Sequence, residues 1–250
     1  MRLIIRSGAR AVAETVAKRI RAAVAARPSL VLGLPTGRTP IPVYRRLVAE
    51  CRAGHLDLDG VTTFNLDEFV GLAAVHPGSY HAFMERHLFR AAELRAAQRH
   101  VPRGDAASPD REAVRYEAAI HAAGGFDLVV LGIGDNGHIG FNEPAPALTP
   151  ATHVVRLQPG TRRANAWLFG GRSRNVPTRA LTVGVGTILQ ARSVLLLATG
   201  RAKAGVVARA LEGPITTRVP ASLLQAHPNC VVVLDRAAAS RLAKDRRGHR

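Results

Sequence analysis

Residues 132–144 read Gly-Ile-Gly-Asp-Asn-Gly-His-Ile-Gly-Phe-Asn-Glu-Pro and follow directly on the apolar run Phe126-Asp127-Leu128-Val129-Val130-Leu131. A buried strand therefore empties into a glycine-rich loop carrying one histidine, His138, and five residues later one carboxylate, Glu143. An imidazole titrates near neutral pH, and a carboxylate at that separation can orient it, so the pattern suits general acid–base chemistry. Asn136 is a second group able to hold the ring. His138 is one of ten histidines in the chain, set apart by Gly134, Gly137 and Gly140 around it. A metal reading would call for His-x-x-x-His or paired-cysteine spacing, and the chain has neither. Acid–base work without a metal is the expectation.

Three further loops follow strand-like runs. Pro35-Thr36-Gly37-Arg38-Thr39-Pro40 comes after Leu30–Leu34. Its small residues let backbone N–H groups approach an anion at a helix start, where the helix dipole favours negative charge. The Gly-x-x-x-x-Gly-Lys-Ser/Thr signature of nucleotide phosphate loops is absent. Asp67, in Phe64-Asn65-Leu66-Asp67-Glu68-Phe69-Val70-Gly71-Leu72, falls at a strand end, where a carboxylate can enter the crevice as a base. The competing use of an aspartate there is to cap the next segment. Lys203, in Gly200-Arg201-Ala202-Lys203, can reach back to a phosphate as a point charge, or be one more surface lysine in a basic chain.

Positioning four such loops takes a sheet. Strand-like runs at Leu3–Arg6, Leu30–Leu34, Val61–Leu66, 126–131, 153–157, 180–185, 193–199 and 229–234 alternate with helix-like segments near 9–26, 40–51, 78–96, 110–123, 161–169 and 201–211. In the first helix Val12, Val16, Ile20 and Val24 recur every four residues; in the second, Thr39 reads as N-cap and Pro40 as the first helical residue. Alternation of this kind predicts an α/β fold: a single Rossmann-like domain, a mostly parallel sheet with helices on both faces. Ligands in such sheets sit at the carboxyl ends of the strands, where all four loops lie. The domain is expected over residues 1–244, with a basic tail over 245–250.

Composition narrows the classes further. The hydrophobic fraction of 47% and charged fraction of 21% are ordinary for a globular protein, and no apolar run is long enough to span a membrane. Two cysteines, Cys51 and Cys230, make no disulfide framework, so a reducing cytoplasm is expected. The net charge of +17 suits attraction of an anionic substrate, or nucleic acid. No nucleic-acid-binding signature accompanies it, so nucleic acid is not expected as the main partner.

Taken together the loops resemble the glucosamine-6-phosphate deaminase (isomerase) family, related in fold to 6-phosphogluconolactonases. The resemblance runs over about residues 30–235 and includes Ser79-Tyr80-His81-Ala82-Phe83-Met84, Leu181-Thr182-Val183-Gly184-Val185-Gly186-Thr187 and Leu224-Gln225-Ala226-His227-Pro228. Phe141-Asn142-Glu143-Pro144 and Asp67-Glu68-Phe69-Val70-Gly71-Leu72 are similar to the deaminase branch, while Arg38-Thr39-Pro40 has a lactonase flavour. The resemblance implies a modified Rossmann fold, no cofactor, and conversion of D-glucosamine 6-phosphate and water to D-fructose 6-phosphate and ammonia. It further implies that His138, supported by Glu143 and Asn136, assists ring opening, that Asp67 moves a proton from C2 toward C1, and that the phosphate lies on Thr36, Gly37, Arg38, Thr39 and Lys203. The other readings are a deaminase of galactosamine 6-phosphate, a 6-phosphogluconolactonase, and a non-catalytic sugar-phosphate sensor. Both a monomer and a homo-oligomer are compatible with the sequence.

Three departures from the family pattern matter. Asn136 stands where many members carry aspartate, so an imidazolium on His138 would draw its counter-charge from Glu143. Trp167 stands where the family usually has a phosphate-binding arginine, and Arg38 where typical deaminases have glycine. Arg38 is therefore expected to replace the lost charge from the opposite side of the phosphate. Members activated by N-acetylglucosamine 6-phosphate use a serine, an arginine and a lysine at the places of Ala147, His153 and Val155, so no such activation is expected.

Overall fold

The computed structural model describes residues 1–243; the expected basic tail over 245–250 lies outside the described residues, as does the final residue of the expected 1–244 domain. Strand β1 (Arg2–Arg6) leads into helix α1 (Ala9–Ala26), whose buried face is Val12, Ala13, Val16, Ala17, Ile20 and Val24. Each fully buried Val or Ile there contributes about 1.5–3 kcal/mol, which holds the helix to the sheet. β2 (Val31–Leu34) is followed by α2 (Ile41–Arg52), β3 (Thr62–Asn65) and β4 (Asp67–Phe69). Next come α3 (Tyr80–Met84), β5 (Arg99–His100), α4 (Pro109–Ala122) and β6 (Leu128–Leu131). The second half supplies β7 (His153–Arg156), α5 (Pro159–Asn165), β8 (Arg179–Thr182), α6 (Val185–Leu189), β9 (Ser193–Ala198), α7 (Ala204–Glu212) and β10 (Cys230–Asp235).

Seven strands form one sheet in the order β1-β10-β9-β6-β2-β3-β5, every pairing parallel. Both faces are covered, as the continuous apolar runs require. Leu32, Leu34, Leu128, Val130, Leu195, Leu197 and Val233 pack against α1, α2 and α3. Their alternate neighbours Val31, Val129, Leu131, Val194, Leu196, Val232 and Leu234 pack against α4, α6 and α7. The expected architecture, a largely parallel sheet between two helical layers, is present.

Several local expectations are corrected. The 61–66 strand ends at Asn65, and Asp67 opens β4, which belongs to a second, antiparallel sheet in the order β4-β8-β7. The 180–185 strand likewise joins that small sheet, with Asp67 paired to Thr182. The 78–96 helix stops early: α3 passes into a π-helical turn over Glu85–Phe89, and Glu93 takes φ 53°. Gln98 then ties the chain down, its amide donating to the carbonyls of Leu58, Asp59 and Val61. Those tertiary bonds outweigh helix continuation. Thr39 is no N-cap: Arg38–Pro40 form a turn, Pro40 occupies the cap position, and helix begins at Ile41. Arg201–Lys203 form a 3-10 turn ahead of α7.

Candidate active site

The strand order places β9, β6, β2 and β3 side by side, so the loops bearing Lys203, His138, Arg38 and Asp67 leave four adjacent parallel strands at the same edge. Between β2 and β6 the winding reverses, which opens the crevice where ligands of such sheets bind. The cleft there is about 680 Å³; Thr36, Arg38, Thr39, Asp67, Asn136, His138 and Lys203 all line it. Glu143 sits behind His138, buried, and Gly37 turns the phosphate-loop candidate with φ +101°.

Asn136 organises the histidine. Its amide nitrogen donates to Glu143 Oε2 at 2.7 Å and to Gln158 Oε1 at 3.1 Å, which leaves its carbonyl oxygen facing His138 Nδ1 at 2.8 Å. Because a carboxylate only accepts, this orientation of the amide is forced, and Nδ1 must carry the proton. The lone pair of His138 is then on Nε2. Glu143 also approaches Nδ1 at 3.6 Å and accepts from the Gln158 backbone at 3.0 Å. Burial would raise the Glu143 pKa, but His138, Thr161 and the Gln158 N–H outweigh it and carry the pKa down to about 2. A permanent negative charge thus stands behind the ring. Gly134 makes room for it: a Cβ there would meet His138 Cε1 at 2.2 Å.

Asp67 is 5% exposed, and its Oδ1 has no hydrogen-bond partner among the described residues. Burial first, then the charge of Glu68, push its pKa up to about 8, with Thr36 pulling the other way. Capping, the alternative use of Asp67, falls instead to Glu68, which accepts the backbone N–H groups of Phe69, Tyr80 and His81. Thr36, expected on the phosphate, lies beside Asp67 and Tyr80 and stabilises the anionic form of both. The Tyr80 hydroxyl donates to Asn165 at 3.0 Å. Glu68, Tyr80, Asn165, Gln158 and Thr161 were not singled out from the sequence. Glu68 and Tyr80 had a signal, their places in segments resembling the family.

Lys203 donates to Asp135 at 2.6 Å and to the Ile133 carbonyl at 2.7 Å, which bends it over the start of the histidine loop. Arg38 does not face Trp167 across the cleft as expected. Its guanidinium carbon lies 5.2 Å from the centre of the Trp167 ring, so the two side chains are in contact. Arg163, unmarked by the sequence, is a further cation lining the cleft.

A cleft of this kind, with a buried free carboxylate and an oriented imidazole under a cationic rim, fits more than one sugar-phosphate chemistry. Residues 6–233 match the profile of the glucosamine-6-phosphate isomerases/6-phosphogluconolactonase family. The chain belongs to that family. Within it, a glucosamine-6-phosphate deaminase of Shewanella loihica is 47% identical over 97% of this chain and 90% of its own. One from Rhodopirellula baltica is 50% identical over 87% of this chain and 86% of its own. Among solved structures, a monomeric glucosamine-6-phosphate deaminase superposes with TM-score 0.93 at 38% identity, covering 96% of this chain and 100% of that one. The 6-phosphogluconolactonase of Trypanosoma brucei, at 20% identity and TM-score 0.75, shares the family fold.

Proposed function

We propose that this chain is an enzyme that converts D-glucosamine 6-phosphate and water to D-fructose 6-phosphate and ammonia. The observation that carries the reading is the pairing, in one cleft, of Asp67 with a free oxygen and His138 held through Nδ1. It is supported by 42–50% identity to relatives named glucosamine-6-phosphate deaminase.

His138 Nε2 takes the proton of the anomeric hydroxyl and delivers one to the ring oxygen, which opens the sugar to the aldehyde. Glu143, ionised behind the ring, stabilises the transient imidazolium, and Asn136 keeps the ring in register. Asp67, as the carboxylate, removes the C2 proton while the aldehyde oxygen gains one from the C2 ammonium, which gives an enolamine, and Asp67 then returns its proton to C1. The resulting iminium at C2 adds water and expels ammonia. One base reaching two adjacent carbons suffices for the isomerisation, and general acid–base catalysis of this kind is worth about 10²–10⁴-fold for each group. Thr39, the Gly37 turn, Arg38 and Lys203 hold the phosphate.

The enzyme works as a monomer, by analogy with the monomeric deaminase of 38% identity. Its place is the cytoplasm, in keeping with the two free cysteines Cys51 and Cys230. No helix among the described residues is long and apolar enough to cross a membrane. The direct test is release of ammonia and fructose 6-phosphate from glucosamine 6-phosphate, with galactosamine 6-phosphate and unphosphorylated glucosamine alongside. Preference for glucosamine 6-phosphate is expected; turnover of another sugar only, or of none, rejects the assignment.

A further inference from the structure

The charged side chain of Arg38 makes no hydrogen bond or ion pair among the described residues; it lies over the face of Trp167. Lys203, on the same cleft, is by contrast already engaged by Asp135. Trp167 is itself well fixed. It sits in the 3-10 turn Ala166–Phe169 that follows α5, and its ring meets Phe83 edge-on at 6.4 Å. It also packs against the apolar layer formed by α1, α2 and α3. The indole is thus a rigid shelf rooted in the core, and the guanidinium lies on it.

An arginine free in solvent samples many rotamers and pays for ordering when it grips an anion. One stacked on an indole is pre-organised: its planar face is occupied, and its edge of N–H donors stays available. That edge matches the paired oxygens of a phosphate monoester. Thr36, Thr39, Arg163 and Lys203 line the same cleft, so the anion that Arg38 would take is one held there.

We propose that Trp167 is a positioning residue that holds Arg38 in place, so that Arg38 and Trp167 act as one unit binding the phosphate of the substrate. The proposal rests on the sugar-phosphate reading of the cleft, and it makes the two side chains a specificity device for a phosphorylated sugar.

The test is a double-mutant cycle on the full chain, read by steady-state kinetics and by calorimetric titration with inorganic phosphate. Arg38→Ala is expected to raise KM for glucosamine 6-phosphate about 10- to 100-fold, the worth of a charge-assisted fork. Trp167→Ala is expected to raise it about 3- to 5-fold, with the loss in KM rather than kcat, and Trp167→Phe to restore part of it. In the Arg38→Ala background, Trp167→Ala should add nothing to KM. Additive effects, an effect on kcat alone, or an unchanged KM in Trp167→Ala with a retained Tm would each overturn the proposal. Phosphate affinity should follow the same pattern. If the protein deaminates nothing yet phosphate binding still shows the non-additive pair, the unit stands and the substrate reading falls. If it deaminates but the pair is additive, the reverse holds.

Discussion

Asp67 has to act as an anion in surroundings that disfavour one, and that conflict is what equips it as a base. A carboxylate raised to about 8 by burial and by Glu68 binds a proton far more tightly than a solvated one. It can therefore pull on the C2 proton, yet only the ionised fraction is active. The value of kcat/KM should rise with pH through an apparent pKa of about 8 and level off above it; a profile flat from about pH 6 to 9 would remove Asp67 as the base. Asp67→Asn should lower kcat by about 10²–10⁴-fold while sparing phosphate binding. The same shift has a stability consequence. A group whose folded pKa is raised favours folding while protonated, and that advantage disappears as pH climbs from the unfolded value, 3.8, to about 8. Above that pH the buried charge opposes folding. Asp67→Asn should accordingly gain Tm over the parent at about pH 9 and much less at about pH 5, by about 2–4 °C for each kcal/mol relieved. At this scale the sequence was partly legible. Asp67, His138 and Glu143 stood out because a strand end and a glycine-rich loop at the carboxyl edge of a sheet are where side chains meet a ligand. Glu68 did not, because the N–H groups that it caps come from Tyr80 and His81, more than ten residues away. Thr36 was read with its loop, and its contact with Asp67 depends on how two strand ends meet.

Elements carry the loops to one another, and here the sequence was legible where periodicity is long. The α1 stripe follows from apolar spacing, the apolar strands β6, β9 and β10 from continuous runs, and the α/β alternation from the two together. The small β4-β8-β7 sheet did not, since Asp67–Phe69 is three residues long and shows no period of two. Yet that sheet fixes the base: Asp67 pairs with Thr182, and the Thr182 hydroxyl accepts the Phe141 N–H at 3.0 Å in the histidine loop. The strand thus links Asp67 and His138 mechanically. The histidine loop has its own tight point at Gly134, whose N–H donates to the His138 carbonyl at 2.9 Å while the imidazole lies over its Cα. Gly134→Ala would put a methyl 2.2 Å from Cε1, so ring or loop must move by an ångström or so. Displacement of that size at a reacting group costs about 10²-fold in rate. The expected result is a kcat reduced about 10- to 100-fold with the near-ultraviolet circular dichroism kept. Full activity in that variant would show that the loop tolerates another histidine position.

For the whole molecule the charge of +17 bears on association more than on fold. Like charges repel two copies, and a stable dimer needs about 1,200–2,000 Å² of buried surface to offset that. Among the described residues the exposed large hydrophobics are Val75, Val114 and Ile215 with Met1, one each on the segment before α3, on α4, after α7 and at the N-terminus. Single exposed apolar residues of this kind do not make an interface. Light scattering should therefore give 26.6 kDa at micromolar concentration, with specific activity independent of dilution; a multiple of that mass would overturn the monomer. Regulation follows the same line. Cooperative activation needs a second site and two global states that both ligands bias. At the places where activated members resembling this chain carry a serine, an arginine and a lysine, Ala147 and Val155 offer no charge. Val155 packs against the aromatic cluster of Phe69, Tyr80 and Phe141, and His153 holds the Ala151 carbonyl at 2.9 Å. Neither Ala147 nor Val155 can pair with a phosphate placed there. Initial rates should be hyperbolic in glucosamine 6-phosphate, and N-acetylglucosamine 6-phosphate should neither raise kcat nor lower KM, acting at most as a competitor in the cleft. Acceleration by that sugar, or a sigmoidal curve that it straightens, would mean that a second anion site exists elsewhere on this basic surface.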